Sequence, residues 1–202
     1  TLDDLAIFHK LAHMLPAMHS SAHHIVEPMD HPISHRHLRI THSSMLYSDK
    51  TFMGMTTSGQ NAEDVLDMCA ILFGEEYLET HAVVTGNCNG NSPLVWDETM
   101  LSAMRAFNRR NQPVLCSPFV LGGANTPAST VPTVAQLNAE ALSALAYTQV
   151  IRPGCPAIYG HYLSTVSMQS GAPMAGTPEI SLMNFMIGQM ARHYGIPWRT
   201  SN

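Results

Sequence analysis

Short apolar runs recur along this chain at a spacing that few architectures produce. They are His24-Ile25-Val26, Thr51-Phe52-Met53, Ala82-Val83-Val84, Val114-Leu115-Cys116, Ala157-Ile158-Tyr159 and Pro197-Trp198, so successive runs begin 27 to 43 residues apart. A strand, its crossover and the next parallel strand occupy roughly 30 residues or more. The rhythm therefore predicts repeated βα units. The runs show little polar alternation, as expected of strands covered on both faces. Charged residues make up 12% of the chain and apolar ones 45%, which suits such a core.

The segments between the runs read as helices. Val65, Met68, Cys69 and Leu72 fall at i, i+3, i+4 and i+7. Ala62-Glu63-Asp64 are expected in that helix's first turn and Gly74 at its stop. Met100, Leu101, Met104 and Phe107 mark a second helix, with Asp97 as its cap and Trp96 and Leu101 placed as a hydrophobic staple. Gln136 to Val150 is a third. Ile180, Met183, Ile187, Met190 and Tyr194 mark a fourth, capped by Thr177, opened by Pro178 and ended by Gly195. Asp3 to His19 reads as an opening helix.

The connections are unequal. Helix-to-strand links are short: Asn111-Gln112, Arg152 to Cys155, Gly195-Ile196. Strand-to-helix links are long and rich in Gly, Asn, Ser and Pro: Glu27 to Ser34, Thr56 to Gln60, Gly86 to Trp96, Ser117 to Thr130, Gly160 to Gly176. In a parallel (β/α) barrel of the TIM type, function collects on that strand-to-helix face. An open doubly wound sheet also binds ligands at strand carboxyl ends. Six strand candidates are fewer than the eight of a closed barrel. The expectation is one partial-barrel segment over residues 1–202, incomplete at both ends.

Some partners are disfavoured. The formal net charge is −5, and Arg109-Arg110 is the one cationic pair, which argues against nucleic acid. No apolar run reaches the ~18 residues of a membrane span, and no signal-peptide pattern opens the chain. Cys69, Cys88, Cys116 and Cys155 form no C-x-x-C pair and read as free thiols of a reducing, cytoplasmic setting. Nine of the 12 histidines lie between His9 and His42, with His9/His13 and His19/His23 at i, i+4. Without an H-E-x-x-H pattern or a third ligand, they are expected to be solvated faces and not a metal site.

Several blocks resemble one family in order. They are Ser92-Pro93-Leu94-Val95-Trp96-Asp97-Glu98-Thr99-Met100-Leu101, Gln112-Pro113-Val114-Leu115-Cys116-Ser117-Pro118 and Gly122-Gly123-Ala124-Asn125-Thr126-Pro127. Gln136-Leu137-Asn138-Ala139-Glu140-Ala141-Leu142, Ile158-Tyr159-Gly160, Ser170-Gly171-Ala172-Pro173 and Gly176-Thr177-Pro178-Glu179 follow. Together they resemble the trimethylamine methyltransferase family, in particular bacterial members acting on glycine betaine and similar quaternary amines. The resemblance implies an eightfold barrel about twice this length. It also implies transfer of a methyl group from an amine nitrogen to the cobalt of a corrinoid (cobalamin) held by a partner protein, with no cofactor bound tightly by this chain. Archaeal members use pyrrolysine as an electrophile, and no such residue is written here.

A quaternary ammonium offers no hydrogen-bond donor, so aromatic faces must hold it. Tyr159, Tyr162 and Trp96 lie at or after strand ends and are candidates, against a core reading for Tyr159 and a staple reading for Trp96. His161 is a candidate for a substrate carboxylate or for steering the corrinoid, against a structural reading. Asn125 lines the pocket or makes the turn. Glu179 offsets the substrate cation or merely suits a helix start. Two alternatives stand beside the methyltransferase. One is an inactive barrel that binds amines or docks a corrinoid protein. The other is an aldolase-like barrel, for which Lys10 and Lys50 are poorly placed. A homo-oligomer is compatible with the sequence.

Overall fold

The structure, a computed structural model, describes residues 1–21 and 25–200. Its elements in chain order are α1 (Leu2–Met14), β1 (Ser20–Ser21), α2 (Ile33–Tyr47), β2 (Thr51–Gly54), α3 (Gly59–Phe73), α4 (Glu75–Thr80) and β3 (Val84–Gly90). Then come α5 (Glu98–Arg109), β4 (Val114–Gly122), α6 (Thr130–Ile151), β5 (Ala157–Gly160), β6 (Tyr162–Val166), β7 (Pro173–Met174), α7 (Pro178–Tyr194) and β8 (Trp198–Arg199). The main path of the sheet is β1-β2-β3-β4-β5-β8, all parallel. Strands follow chain order without reversal, as a singly wound barrel requires and a doubly wound sheet does not. The result is a curled half-barrel with helices on its outer side.

Glycines show which face meets the helices. A Cβ on Gly54 or Gly86 would strike Phe107 of α5 at 2.8 Å. On Gly90 it would meet Trp96 at 3.2 Å, and on Gly188 of α7 it would meet Trp198 of β8 at 3.0 Å. Phe52, Val84, Cys88, Val114, Cys116 and Tyr159 share this outer face by register and lie buried in the main core. The alternate residues, Met53, Thr85, Asn87, Asn89, Leu115, Ser117, Ile158 and Gly160, belong to the inner, concave face.

Several sequence expectations need correction. Ile25 and Val26 are not in a strand; the first described strand is Ser20–Ser21, and His24 lies outside the described residues. The opening helix ends at Met14 and not His19. Helix α2 was not foreseen: its N-cap is Pro32, with no side-chain cap bond, and Ser and His interrupt its apolar pattern. Helix α3, which carries Val65, Met68, Cys69 and Leu72, starts at Gly59 with Ser58 as cap, so Glu63 and Asp64 fall in its second turn. The long links are partly regular. Strands β3 and β4 extend to Gly90 and Gly122, and the stretch 160–176 holds β6 and the short antiparallel β7. The caps Asp97 and Thr177, the Pro178 start and the left-handed Gly195 stop are present as expected.

The histidines are divided among different jobs. His9 is buried between α1 and α2, its Nδ1 at 2.9 Å from Ser43 Oγ and its Nε2 at 3.3 Å from Ser44 Oγ. His37 faces Asp64 of α3 at 2.8 Å, and His13 faces Asp49 at 3.1 Å. His23 lies outside the described residues. Among the described residues, no group of three His, Cys, Asp or Glu could hold a metal. The four cysteines are free and buried, and burial pushes the Cys69 and Cys116 thiols up to about 12. No helix among the described residues is long and apolar enough to cross a membrane.

Candidate functional site

The strand carboxyl ends form a rim whose centre is an aromatic pair. Phe119 near the end of β4 is in register with Tyr162 at the start of β6. Their rings stack with centroids 5.0 Å apart and planes 13° from parallel. Both remain open, at 41% and 48% exposure, although Pro118 and Val120 beside Phe119 are buried. Alternation from Leu115 and Ser117 puts Phe119 on the concave face, and the stacking puts Tyr162 there with it.

Asn125 acts on this pair indirectly. Its Oδ1 accepts from the Leu121 amide at 2.6 Å, and its Nδ2 donates to the Phe119 carbonyl at 2.9 Å. These two bonds clamp the end of β4 and hold Phe119 in place.

Two rim loops hang on α6. Glu140 is almost fully buried and accepts from Ser92 Oγ, from the Leu94 amide at 2.9 Å and from Gln136 Nε2 at 2.9 Å. Its carbonyl receives the Trp96 indole N–H at 3.2 Å. Gln136 also donates to the Asn125 carbonyl at 3.1 Å. One turn of helix thus secures both the loop after β3 and the loop after β4. Leu94, at φ 59°, sits in left-handed backbone that this bond helps hold.

The remaining candidates are placed elsewhere. Tyr159 is fully buried on the outer face, where its hydroxyl donates to Asn138 Oδ1 at 2.8 Å and its ring meets Tyr194 edge-on. Trp96 packs over Gly90, also on the outer side. Neither joins Phe119 and Tyr162: Tyr159 lies in the core, and Trp96 is partly buried against it. Glu179 is exposed at the start of α7. It borders a cavity of about 200 Å³ with Gly122, Thr133, Met168, Met174 and Met183, between the β4–β6–β7 end and helices α6 and α7.

His161 is fully buried between Gly160 and Tyr162. Neither ring nitrogen has a protein partner among the described residues. Burial, and then the charge of Arg199, push its pKa down to about 4. Before any ligand arrives the imidazole is therefore neutral at pH 7. Asn87 Oδ1 and Ser117 Oγ, both on the concave face, are likewise buried without a protein partner. Buried polar atoms without a protein partner are unusual in a folded interior; Ser21 Oγ, His37 Nδ1, Asn108 Oδ1 and Thr165 Oγ1 share that state away from the concave face.

The sequence reading overlooked Phe119, Glu140 and Arg199. Phe119 carried one signal: it is the large ring in a strand otherwise made of small and aliphatic residues. Glu140 was an acid in the middle of an Ala-rich helix. Arg199 stands on β8 opposite Gly160.

A parallel half-barrel with an open aromatic rim at its strand carboxyl ends has the frame of a barrel-type enzyme. The sequence model of the family described as trimethylamine methyltransferase (MTTB) matches residues 1–202, and the chain belongs to that family. It is 38% identical over 201 residues to a glycine betaine methyltransferase of Desulfitobacterium hafniense, covering 99% of this chain and 42% of that protein. It is 29% identical over 160 residues to a proline betaine:corrinoid methyltransferase of Eubacterium limosum, covering 76% of this chain and 33% of the relative. A trimethylamine methyltransferase of Methanosarcina thermophila is 24% identical over 159 residues, covering 78% and 33%. The chain thus spans well under half the length of these relatives.

Proposed function

We propose that this chain is the amine-binding part of a methyltransferase that takes a methyl group from a quaternary or tertiary amine, of the glycine betaine or trimethylamine kind, and passes it to the cobalt of a corrinoid carried by a partner protein. The observation that carries the reading is the open, stacked Phe119–Tyr162 pair on the concave rim. An aromatic face within about 6 Å attracts a cation through the ring quadrupole and demands no donor from it. The identity to a glycine betaine methyltransferase supports the same substrate class.

The chain's own contribution is binding and orientation. Phe119 and Tyr162 hold the ammonium, Asn125 fixes the backbone under Phe119, and Glu140 with Gln136 holds the two loops at the rim. A methyl group fixed in line with its acceptor gains most of the advantage that orientation can give. The docked corrinoid supplies the nucleophilic metal. A quaternary nitrogen leaves as a neutral amine and needs no proton. The neutral Asn87, Asn89 and Ser117 of the concave face and the uncharged His161 suit such a reaction. Neutral trimethylamine would have to be activated first.

The test is methyl transfer to free cob(I)alamin, followed by its absorbance, in the longest polypeptide that the gene encodes. Glycine betaine is expected to be demethylated faster than trimethylamine. No transfer from either amine would overturn the reading, and transfer from trimethylamine alone would confine it to tertiary amines.

A further inference from the structure

We propose that Arg199 is the anion anchor of the amine site, taking the carboxylate of a betaine-type zwitterion whose ammonium lies on the Phe119–Tyr162 pair. The inference rests on the amine reading above and narrows it from quaternary amines in general to those that carry an acid group close to the nitrogen.

Arg199 is in register with Gly160, and a Cβ on Gly160 would meet Leu115 Cδ1 at 2.4 Å, so both belong to the concave face. Its neighbour Trp198 points the opposite way, against Gly188 of α7. Arg199 Nη1 lies 3.5 Å from the His161 carbonyl, which is the peptide joined to Tyr162. The guanidinium and the aromatic pair therefore stand on one face, either side of the His161 backbone.

Four other arginines are at most about a third exposed, and each has a carboxylate: Arg36 with Glu27, Arg105 with Glu98, Arg110 with Asp67 and Arg152 with Glu79. Arg199 is half-buried, yet among the described residues no carboxylate lies within 4.0 Å of it. Of its five N–H donors, one long bond to a carbonyl is recorded. A partly desolvated cation without a counter-ion is unfavourable unless an anion arrives. A carboxylate is the anion whose planar geometry the guanidinium fork matches.

His161 stands beside Arg199 with both ring nitrogens unpartnered, and in the unliganded protein it is uncharged at pH 7, so the arginine is the standing charge at that spot.

The experiment is calorimetric titration of the full-length protein with glycine betaine and with choline, which keeps the quaternary head and replaces the acid with a hydroxyl. The wild type is expected to prefer glycine betaine. Arg199→Gln should weaken glycine betaine about tenfold or more, leave choline within about twofold, and erase the preference. Arg199→Lys should recover part of it, which guards against a folding defect. Equal weakening of both ligands by Arg199→Gln, or no preference in the wild type, overturns the proposal while leaving the amine site intact. Failure of the wild type to bind either ligand overturns the amine reading itself.

Discussion

The two rims of the half-barrel are built to different rules. At the amino ends of the strands, polar groups are paired almost throughout. The buried Gln112 side chain accepts from the Val83 and Val84 amides and donates to the Leu78, His81 and Arg110 carbonyls. Arg110 joins Glu63, Asp67 and Glu75, and Arg152 joins Glu79. One exception there is Asn108 Oδ1. At the carboxyl ends, Asn87, Ser117 and His161 are buried with unpartnered atoms, and two aromatic rings lie open. A satisfied rim holds the scaffold, and an unsatisfied one receives ligands. The contrast is what the division of labour in (β/α) barrels leads one to expect.

The largest effect should come from the paired rim. Gln112→Ala strands several buried backbone groups at once and should destabilise the fold by about 3–5 kcal/mol in urea denaturation. A loss under about 1 kcal/mol would show that this rim does not hold the scaffold.

The next effect belongs to the unsatisfied rim and depends on pH. The pKa of His161 falls from 6.5 to about 4 on folding. Between those values the unfolded chain binds the proton and the folded chain does not, so the histidine's contribution is present above pH 6.5 and is lost as pH falls towards 4. The loss should total about 3 kcal/mol across that window, at ~1.4 kcal/mol per pH unit at most. Burial lowers the pKa of His9 as well, so the same direction is expected there. The check is urea denaturation from pH 7 to pH 4 for the wild type and His161→Gln, whose profile should be flatter. Identical profiles would remove His161 from the account.

A third change tests the packing within the concave face. Gly160→Ala drives a methyl group into the buried Leu115 side chain and should destabilise by about 1–3 kcal/mol. The smallest effects should come from the exposed ends of each rim. Arg152→Ala, whose partner Glu79 is half exposed, should change stability by no more than about 1 kcal/mol. Phe119→Ala should likewise change the melting temperature little while abolishing retention of a quaternary amine. A large drop in melting temperature would reassign Phe119 to the core.

The parallel units were legible because buried strands leave apolar runs. Thr51-Phe52-Met53, Val114-Leu115-Cys116 and Ala157-Ile158-Tyr159 all fall in strands. Ser20–Ser21 left no such trace, being two polar residues at a sheet edge. Helix α2 was hidden because its buried positions include His37, Thr41, Ser43 and Ser44, polar residues that pair with side chains or backbone around them. The rim could be located from loop inequality, but its members could not be sorted. Tyr159 and Tyr162 are three residues apart and face opposite sides of the sheet, as alternation dictates once the chain is extended on both sides of His161, where the sequence suggested a loop. Phe119 became visible only through its cross-strand partner, and Arg199 only through a missing counter-ion.

Glu140 and Gln136 sit one turn apart on α6, and each grips a different loop of the rim. Those loops cannot be repositioned independently. A slide of that helix along the sheet would tilt both together, making α6 a lever by which contacts on the outside of the barrel could open or narrow the mouth.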